Sequence, residues 1–213
     1  VVIPNGIDEA VFHPDAPPFS LKTNKQYKFL FVGGTIGRKG PDVLLNAFAQ
    51  TFSGDDNVCL VIKDFGDKTF YNGQTLGQTI HELQSRPNAP EIVYLNSELS
   101  SEEMIGLYTA CDCLVHPYRG EGFGLPVLEA MACGSILIVS NNHGHRQWDK
   151  EDYPILFFGK NDSRKLADFI IKSCSNEVLL KEALMQGPEL VKLNWTWEKQ
   201  ADLILKEYKG IIS

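Results

Sequence analysis

The chain has 213 residues, of which 43% are hydrophobic, and this is enough apolar material to bury one sizeable core in one or two domains. A formal net charge of −7 argues against a protein that attracts nucleic acid electrostatically. No apolar run approaches the roughly 20 residues that a membrane-spanning helix needs. The first residue is Val1 and no signal-peptide pattern follows it, so we expect a segment of a longer cytoplasmic protein.

After a proline-rich opening segment of residues 1–20, which is predicted to be a linker, short apolar strands alternate with helices. The predicted strands cover residues 28–32, 58–62, 92–95, 113–116, 136–139 and 155–158. Apart from one helix after the fourth strand, the predicted helices cover residues 41–52, 75–84, 100–110, 163–174, 177–185 and 197–208. Strands that are apolar throughout indicate an α/β fold with a doubly wound parallel sheet. Ligands of such folds bind beyond the carboxyl ends of the strands, so we expect the function at that edge.

The helix after the fourth strand follows a glycine-rich turn. Pro126 is tolerated only in a first helical turn, so the helix should begin near Phe123 or Gly124. Gly134 is placed to end it. The glycines and the proline therefore bound a short apolar helix directly behind a turn.

Two carboxylates, Glu121 and Glu129, lie eight positions apart across this turn. Leu125, Leu128 and Ala132 follow helical spacing and are predicted to form the buried stripe, with Glu129 on or beside it. A carboxylate removed from water needs a hydrogen-bonding partner. Glu121 lies ahead of the helix N-terminus, where unpaired backbone N–H groups gather. The arrangement predicts a pocket for a polyhydroxylated, phosphorylated ligand.

A glycine-rich loop, residues 33–40, joins the first strand to its helix. Gly33 and Gly34 permit close backbone approach, Arg38 and Lys39 add positive charge, and the helix N-terminus adds its dipole. The loop lacks the Gly-Lys-Ser/Thr ending of a P-loop and is not a G-x-G-x-x-G in register. It suits a diphosphate, and a flexible turn with two solvated cations is the alternative.

The positions and spacing of the histidines do not indicate a metal site. His116 ends the fourth predicted strand and reads as a core or strand-end histidine, with a ligand-facing role as the alternative. His143 and His145 lack partners at metal-ligand spacing and are predicted to be loop residues. No Asp-x-Asp motif, G-x-S-x-G turn or H-E-x-x-H helix occurs, so metal-dependent hydrolysis and serine-type acyl transfer are unsupported.

The five cysteines are an odd number and most lie inside apolar runs. Cys111 and Cys113 lack the spacing of a zinc site, so buried reduced thiols are expected, with a redox pair as the alternative. Residues 63–67, after the second strand, are predicted either to touch a ligand or to form a solvated loop. The C-terminal aromatic and leucine residues are predicted to pack as an apolar face, with a carbohydrate platform as the alternative: Trp195, Trp197, Leu203, Leu205 and Tyr208.

Together these segments resemble the C-terminal, donor-binding domain of a retaining glycosyltransferase of family 4, the glycogen-synthase-like glycosyl transferases group 1. Such enzymes have the GT-B architecture of two Rossmann-like domains, of which this chain would be one half. The likeness is carried by residues 2–8 with Phe12 and Pro14, by residues 31–34 with 38–40, and by residues 121–129, which match the E-x7-E motif and run on to Gly134.

The resemblance implies roles for single residues. Lys39 would bind the donor diphosphate, with Arg38 beside it, while Glu121 would contact hydroxyls of the donor sugar and Glu129 those of the ribose. The implied catalytic residues are Glu121 and Lys39. The full set implied to bind the donor is Gly33, Gly34, Arg38, Lys39, Glu121, Gly122, Phe123, Gly124, Leu125 and Glu129, of which Phe123, Gly124 and Leu125 would offer backbone N–H groups.

Two positions depart from the family pattern. Gly34 stands where many members have an arginine, a charge that Arg38 would have to supply. Asp64, Phe65 and Gly66 stand where many members have a glycine pair, which alters the expected base pocket.

The resemblance implies sugar transfer from a nucleotide diphosphate sugar with retention of the anomeric configuration. It implies no cofactor, and the lack of Asp-x-Asp predicts no metal. Residues 21–194 would form the donor-binding domain, and residues 195–213 a helix that packs back toward an N-terminal domain holding the acceptor. The location would be cytoplasmic or peripheral at the inner face of a membrane, and the fragment alone would turn over poorly. A non-catalytic nucleotide-sugar-binding module and a nucleotide-sugar epimerase on the same plan are the alternatives.

Overall fold

The computed structural model describes residues 3–65, 71, 73–142 and 153–212. Its strands are β1 (Tyr27–Val32), β2 (Val58–Lys63), β3 (Glu91–Leu95), β4 (Cys113–His116), β5 (Ile136–Ser140) and β6 (Ile155–Phe158). Its α-helices are α1 (Pro41–Thr51), α2 (Gly77–Gln84), α3 (Ser101–Thr109), α4 (Leu125–Ala132), α5 (Ser163–Cys174), α6 (Glu177–Asn194) and α7 (Trp197–Ile212). Every predicted strand is present within one residue of its predicted bounds.

The six described strands form one parallel sheet in the order β3-β2-β1-β4-β5-β6. Chain order reverses direction between β1 and β4, which confirms the doubly wound α/β prediction. Right-handed crossovers place α1 and α4 on opposite faces of the sheet. There α1 packs on α5 and α4 packs on α6. Ligands of such sheets bind where the direction reverses, so the loops that follow β1 and β4 are the place to look.

Helix α4 begins and ends where glycines allow it. Gly124 precedes it with φ 87°, Pro126 is its second residue, and Gly134 follows with φ 78°. The prediction that Leu125 belongs to the buried stripe is wrong, because its side chain is 40% exposed. As the first helical residue it lies at the edge of the sheet, and the buried positions come later, from Val127 onward.

Helix α6 is longer than predicted. The predicted helix stops at residue 185, ahead of Gly187 and Pro188, a pair that ordinarily ends a helix. The observed helix continues to Asn194 with Pro188 inside it. Gly187 lies against α4, where an added Cβ would be only 2.3 Å from the carbonyl oxygen of Met131. Packing of α6 on α4 therefore outweighs the local preference.

The N-terminal segment of the described chain lies beside the junction of α6 and α7. Ile7 donates to the carbonyl of Trp195 at 2.8 Å and accepts from the backbone N–H of Trp197 at 3.2 Å. Trp195 is buried as predicted, but Trp197 is 55% and Tyr208 60% exposed, and Leu203 and Leu205 are exposed as well. The predicted packing of the apolar C-terminal residues thus holds within the described chain for Trp195 alone.

All five cysteines are free thiols, and four of them are buried, as expected. Burial raises the pKa of the Cys59 thiol to about 11 and that of Cys133 to about 12. Thiols with such pKa values are poor nucleophiles at neutral pH, which fits structural cysteines. Among the described residues, no helix is long and apolar enough to cross a bilayer.

Candidate functional site

The loop after β1 and the loop after β4 are joined at the edge of the sheet. The backbone N–H of Arg119 donates to the carbonyl of Arg38 at 2.8 Å. Gly40 has φ 64°, and an added Cβ would lie 2.2 Å from the carbonyl oxygen of Pro117, so only glycine fits there. The structure therefore brings together the two segments that the sequence marked separately.

Arg119 fastens these loops. Its guanidinium pairs with both carboxylate oxygens of Asp42, each at 2.7 Å, and donates to the Gly37 carbonyl at 2.6 Å. Its Nε also donates to the side chain of Asn161 at 2.6 Å. The hydrogen bond from Arg119 holds the pKa of Asp42 below its usual range. The guanidinium of Arg119 is thus already bonded to groups of the chain itself. No local sequence pattern indicates its pairing with Asp42, because the two residues are 77 positions apart.

Lys39 and Arg38 line the loop after β1, facing different partners. The partly buried Lys39 donates from Nζ to the hydroxyl of Tyr118 at 3.0 Å. Burial lowers the pKa of Lys39, and the charge of Glu121 opposes that shift. Arg38 is exposed, donates to the carbonyl of Gly120 at 2.8 Å and lies 4.0 Å from Oε2 of Glu121. Arg38 thus lies beside the first predicted carboxylate, and the charge of that carboxylate also acts on Lys39.

Glu121 lies on the loop ahead of α4. Its Oε1 accepts from the backbone N–H of Gly122 at 2.9 Å, while its Oε2 faces Arg38. The first turn of α4 begins at Leu125, directly after Gly124, so its backbone N–H groups and the positive end of the helix dipole open at this edge. An anionic group between the loops would meet cations and backbone donors.

Glu129 lies in the second turn of α4 and is partly buried. Its Oε2 accepts a hydrogen bond from the hydroxyl of Tyr108, a fully buried residue of α3. Burial raises the pKa of Glu129, and the hydrogen bond from Tyr108 works against that rise. The second predicted carboxylate is therefore withdrawn from water and held from inside the protein, by a tyrosine that sequence reasoning missed.

A further buried cluster fixes the glycine loop to β2. Asp64, directly after β2, accepts from the backbone N–H and hydroxyl of Thr35 at 3.1 and 2.5 Å and from the hydroxyl of Tyr94 at 2.7 Å. Lys63 is also buried and donates to the Asp64 carbonyl at 2.9 Å. The prediction of a solvated loop is wrong for Lys63 and Asp64, whereas Phe65 is 46% exposed. Residues 66 and 67 lie outside the described residues.

The glycines of the loop after β1 serve packing. An added Cβ at Gly33, where φ is 147°, would lie 2.1 Å from the Tyr118 hydroxyl oxygen. Gly34 is buried, and its carbonyl accepts from Ile36 at 2.8 Å. Arg38 follows four residues later in the same loop and lies 4.0 Å from Glu121. The guanidinium of this loop is therefore at position 38 and not at the position of Gly34.

The histidine predictions divide in two. His116 is fully buried at the end of β4 and stacks on Tyr118 with ring centroids 3.6 Å apart, as expected of a strand-end histidine. His143 and His145 lie outside the described residues. Within the part of the chain that the structure describes, no three His, Cys, Asp or Glu side chains form a group able to hold a metal ion.

A surface cleft of about 730 Å³ lies along α2, with Gln78, His81 and Glu82 in its wall. The described residues that line it include none of the predicted site residues and no lysine or arginine. The described part of its lining therefore lacks the lysine or arginine that would neutralise a diphosphate. We place the candidate site at the carboxyl ends of β1 and β4 because charge and backbone donors converge there.

Comparison with known proteins gives one family and one fold. The family model of glycosyl transferases group 1 matches residues 14–187. An uncharacterized glycosyltransferase from Methanocaldococcus jannaschii is 28% identical over 212 residues, which is 99% of this chain and 54% of that protein. A D-inositol 3-phosphate glycosyltransferase from Corynebacterium jeikeium is 29% identical over 150 residues, covering 67% of this chain and 36% of that protein. The chain spans about half the length of the first of these relatives and less of the second.

Two solved structures share the fold. Sucrose-phosphate synthase from Thermosynechococcus elongatus superposes with a TM-score of 0.77 at 22% identity, covering 99% of this chain and 52% of that one. The Anabaena protein HepE, crystallised with UDP and glucose, superposes with a TM-score of 0.74 at 20% identity, covering 98% and 56%. At such identities the likeness shows the fold, not the activity.

Proposed function

The chain belongs to the glycosyl transferases group 1 family, and on that premise we propose that it binds a nucleotide diphosphate sugar as the donor half of a retaining hexosyltransferase. One observation carries the proposal: the loop after β1, which holds Lys39 and Arg38, is joined to the loop after β4, where Glu121 lies 4.0 Å from Arg38. A diphosphate joined to a sugar needs cations next to a hydrogen-bond acceptor, and this edge provides both.

Lys39 and Arg38 are the proposed partners of the departing diphosphate. Breaking the bond between sugar and phosphate leaves negative charge on the leaving group, and preorganised electrostatic contacts to that charge are usually the largest part of catalysis. Lys39 is already fixed and partly desolvated, which strengthens its field at close range. The N-terminus of α4 adds backbone donors from Gly124 and Leu125.

Glu121 is proposed to orient the sugar. The 4.0 Å separation from Arg38 is a loose ion pair, and Arg38 is exposed, so a ligand can enter between them. A carboxylate accepts only, hence it would take hydrogen bonds from sugar hydroxyls. Glu129, one helical turn into α4, is proposed to accept from the ribose hydroxyls in the same way.

We propose that these cations and the helix dipole neutralise the diphosphate without a metal ion, and that no cofactor takes part. The support is the cationic loop itself, together with a sequence that has no Asp-x-Asp motif.

The acceptor is proposed to bind to a second domain. Helix α7 exposes an apolar surface that includes Trp197, Leu205 and Tyr208, and a partner domain packed there would cover it. Residues 1–20 would then link the domains, residues 21–194 would bind the donor, and residues 195–213 would pack toward the second domain. We propose a cytoplasmic location, with the inner face of a membrane as the alternative.

A ligand panel tests the proposal. UDP-, GDP- and ADP-sugars are added to the chain, and thermal unfolding and calorimetric titration are followed. At least one nucleotide sugar should raise the unfolding temperature, and Lys39→Ala and Glu129→Ala should each make that rise clearly smaller. Lys181→Ala, on the exposed side of α6, is the control and should leave it intact. Stabilisation that is unchanged in both site variants would place the ligand elsewhere.

A further inference from the structure

Tyr118, two residues beyond β4, is fixed across three neighbouring strands. Its carbonyl accepts hydrogen bonds from the hydroxyl of Ser140 and, at 2.9 Å, from the amide of Asn142, at and after the end of β5. Its ring stacks on His116 of β4. Its hydroxyl donates to the carbonyl of Val32 at the end of β1. The side chain is fully buried and has little freedom.

Lys39 is the group that this tyrosine holds. A tyrosine hydroxyl has one proton, and that of Tyr118 goes to Val32, so its oxygen is available to accept from the Lys39 ammonium at 3.0 Å. The same Nζ lies 4.3 Å from the centroid of the tyrosine ring, whose face attracts a cation. Hydroxyl and ring thus fix the ammonium from one side.

Gly33 leaves the space in which the two side chains meet. An added Cβ would lie 2.1 Å from the hydroxyl oxygen of Tyr118 and 2.9 Å from Cδ of Lys39. Any larger residue would displace both groups. The glycine at this position is therefore required by the contact between lysine and tyrosine, whatever the ligand needs.

The other cations of the site are held differently. Arg119 is occupied by Asp42 and by backbone and amide oxygens, and Arg38 is exposed beside Glu121. Among the described residues of the two loops, Lys39 is the cation fixed by a buried aromatic side chain. The pKa of Lys39 responds to the charges of Glu121, which raises it, and Arg38, which lowers it.

We infer that Tyr118 is a positioning residue whose hydroxyl holds the Lys39 ammonium where the diphosphate of the donor binds. The inference rests on the proposed function and adds a residue to it. A lysine that is already immobilised loses less conformational freedom on binding, so its contact with phosphate contributes more to affinity. Tyr118 acts through Lys39 and does not itself touch the donor.

Tyr118→Phe removes the hydroxyl and keeps the ring. UDP, GDP, ADP and their monophosphates are titrated calorimetrically into the wild-type and variant chains. Affinity for the tightest diphosphate should fall about tenfold, as expected when a hydrogen bond to a charged group is lost. Affinity for the matching monophosphate should change little. An equal fall for both nucleotides would show a merely structural effect and overturn the inference.

A double variant separates position from charge. In a Lys39→Ala background, Tyr118→Phe should cause no further loss of diphosphate affinity, because the group it holds is gone. A further loss of similar size would contradict the inference. Lys39→Arg retains the charge in a different geometry and leaves the core untouched, so it serves if Tyr118→Phe does not fold. Wild-type affinity in Lys39→Arg would also overturn the inference, since charge alone would then suffice.

Tyr153 offers a matched control. Its buried hydroxyl donates to the carbonyl of Ser135, so Tyr153→Phe removes the same kind of hydrogen bond without touching Lys39. Tyr153→Phe should leave nucleotide affinities unchanged. If it lowers diphosphate affinity as Tyr118→Phe does, loss of any buried hydroxyl explains the result and positioning fails.

A measurement without nucleotide distinguishes this inference from the proposed function. The chain is labelled with trace acetic anhydride, and acetylation of Lys39 is compared by mass spectrometry with that of the exposed Lys181. Tyr118→Phe should raise the relative labelling of Lys39 several-fold, and Tyr153→Phe should not. Unchanged labelling rejects the positioning role even if nucleotides bind. A wild-type chain that binds no nucleotide rejects the proposed function instead.

Discussion

The hydroxyl of Tyr108 on α3 donates a hydrogen bond to Oε2 of Glu129 on α4. Removing a carboxylate from water costs free energy unless hydrogen bonds replace those to water, and the bond from Tyr108 replaces one of them. Each carboxylate oxygen has two lone pairs, so Glu129 can accept further hydrogen bonds while Tyr108 keeps its own. The ribose hydroxyls proposed to bind there would add to the tyrosine contact without displacing it.

Glu129→Ala should remove discrimination between ribonucleotides and deoxyribonucleotides. If Glu129 binds the ribose, the wild-type chain should bind the preferred nucleoside diphosphate about tenfold more tightly than its 2′-deoxy form, since a hydrogen bond to a charged acceptor is at stake. The variant should bind both weakly and equally. Calorimetric titration of the nucleotide pair measures the ratio. A variant that keeps the wild-type ratio would place the ribose elsewhere.

Glu129→Gln should stabilise the ligand-free chain at neutral pH. Burial raises the pKa of Glu129 above the unfolded value near 4.5, so the native state binds the proton more tightly and loses stability as pH rises from there through the raised pKa. Replacing the charge should therefore yield a gain on the order of 1 kcal/mol at pH 7, or about 2–4 °C.

The gain should shrink as pH falls and vanish below about pH 4.5, where the carboxyl is protonated in both states. Thermal unfolding of both chains from pH 4 to pH 8 shows this trend. Glu177→Gln, at the exposed start of α6, is the control for a change in net charge. A gain that is independent of pH would mean that burial of charge at position 129 is not its cause.

The strands could be predicted from sequence because each is a short apolar run whose character is decided locally. The start of α3 is decided locally as well, because Ser100 and Glu103, three residues apart, form a capping box there. Predictions failed where distant packing decides the outcome. Helix α6 passes through Pro188 because it is held against α4, and Leu125 is exposed because it lies at the edge of the sheet.

The same division applies to the site. The charged residues that the sequence marked, Lys39, Arg38 and Glu121, do come together, since parallel strands bring their following loops to one edge. The two tyrosines that hold Lys39 and Glu129 in place could not be predicted from the sequence. Tyr118 is 79 residues from Lys39, and Tyr108 is 21 residues from Glu129, so no spacing rule links either pair. Buried tyrosines also look like ordinary core residues in a sequence.

Arg119→Lys should loosen the loops at small cost in stability. Lysine cannot form the two parallel hydrogen bonds that Arg119 makes with Asp42. Its single ammonium group also cannot replace the planar guanidinium that bonds to Gly37 and Asn161 at the same time. The pair is partly exposed, with side-chain exposures of 30% and 51%, so the stability loss should be no more than about 1 kcal/mol. Diphosphate affinity should fall as well, because Arg119 contacts the loop that carries Lys39.

Asp42→Asn changes the partner of Arg119. Denaturant unfolding of Arg119→Lys, Asp42→Asn and the double variant gives the coupling energy of the pair by double-mutant cycle. Arg119 holds the pKa of Asp42 low, so the pair contributes stability above the unfolded pKa near 3.8 and loses it as pH falls through the lowered value. The coupling energy should therefore be present at pH 7 and fade at low pH. Additive effects at pH 7 would show that the pair contributes nothing to the fold.

Gly40→Ala should damage both stability and binding, and Gly37→Ala in the same loop should not. Gly40 has φ 64°, and a Cβ there would lie 2.2 Å from the carbonyl oxygen of Pro117, so the two loops would have to separate. Strain and displacement together should cost about 2–4 kcal/mol. At Gly37 an added Cβ meets no atom within 4 Å, so the change should stay within about 0.5 kcal/mol.

Urea unfolding gives the stability of both glycine variants, and nucleotide titration gives their affinity. Because Lys39 lies directly before Gly40 and Tyr118 directly after Pro117, separation of the loops should weaken the contact between lysine and tyrosine and lower diphosphate affinity. Affinity lost in Gly40→Ala at a temperature where the chain is still folded would show that the junction of the loops serves binding. Loss of stability with unchanged affinity would limit the role of this junction to folding.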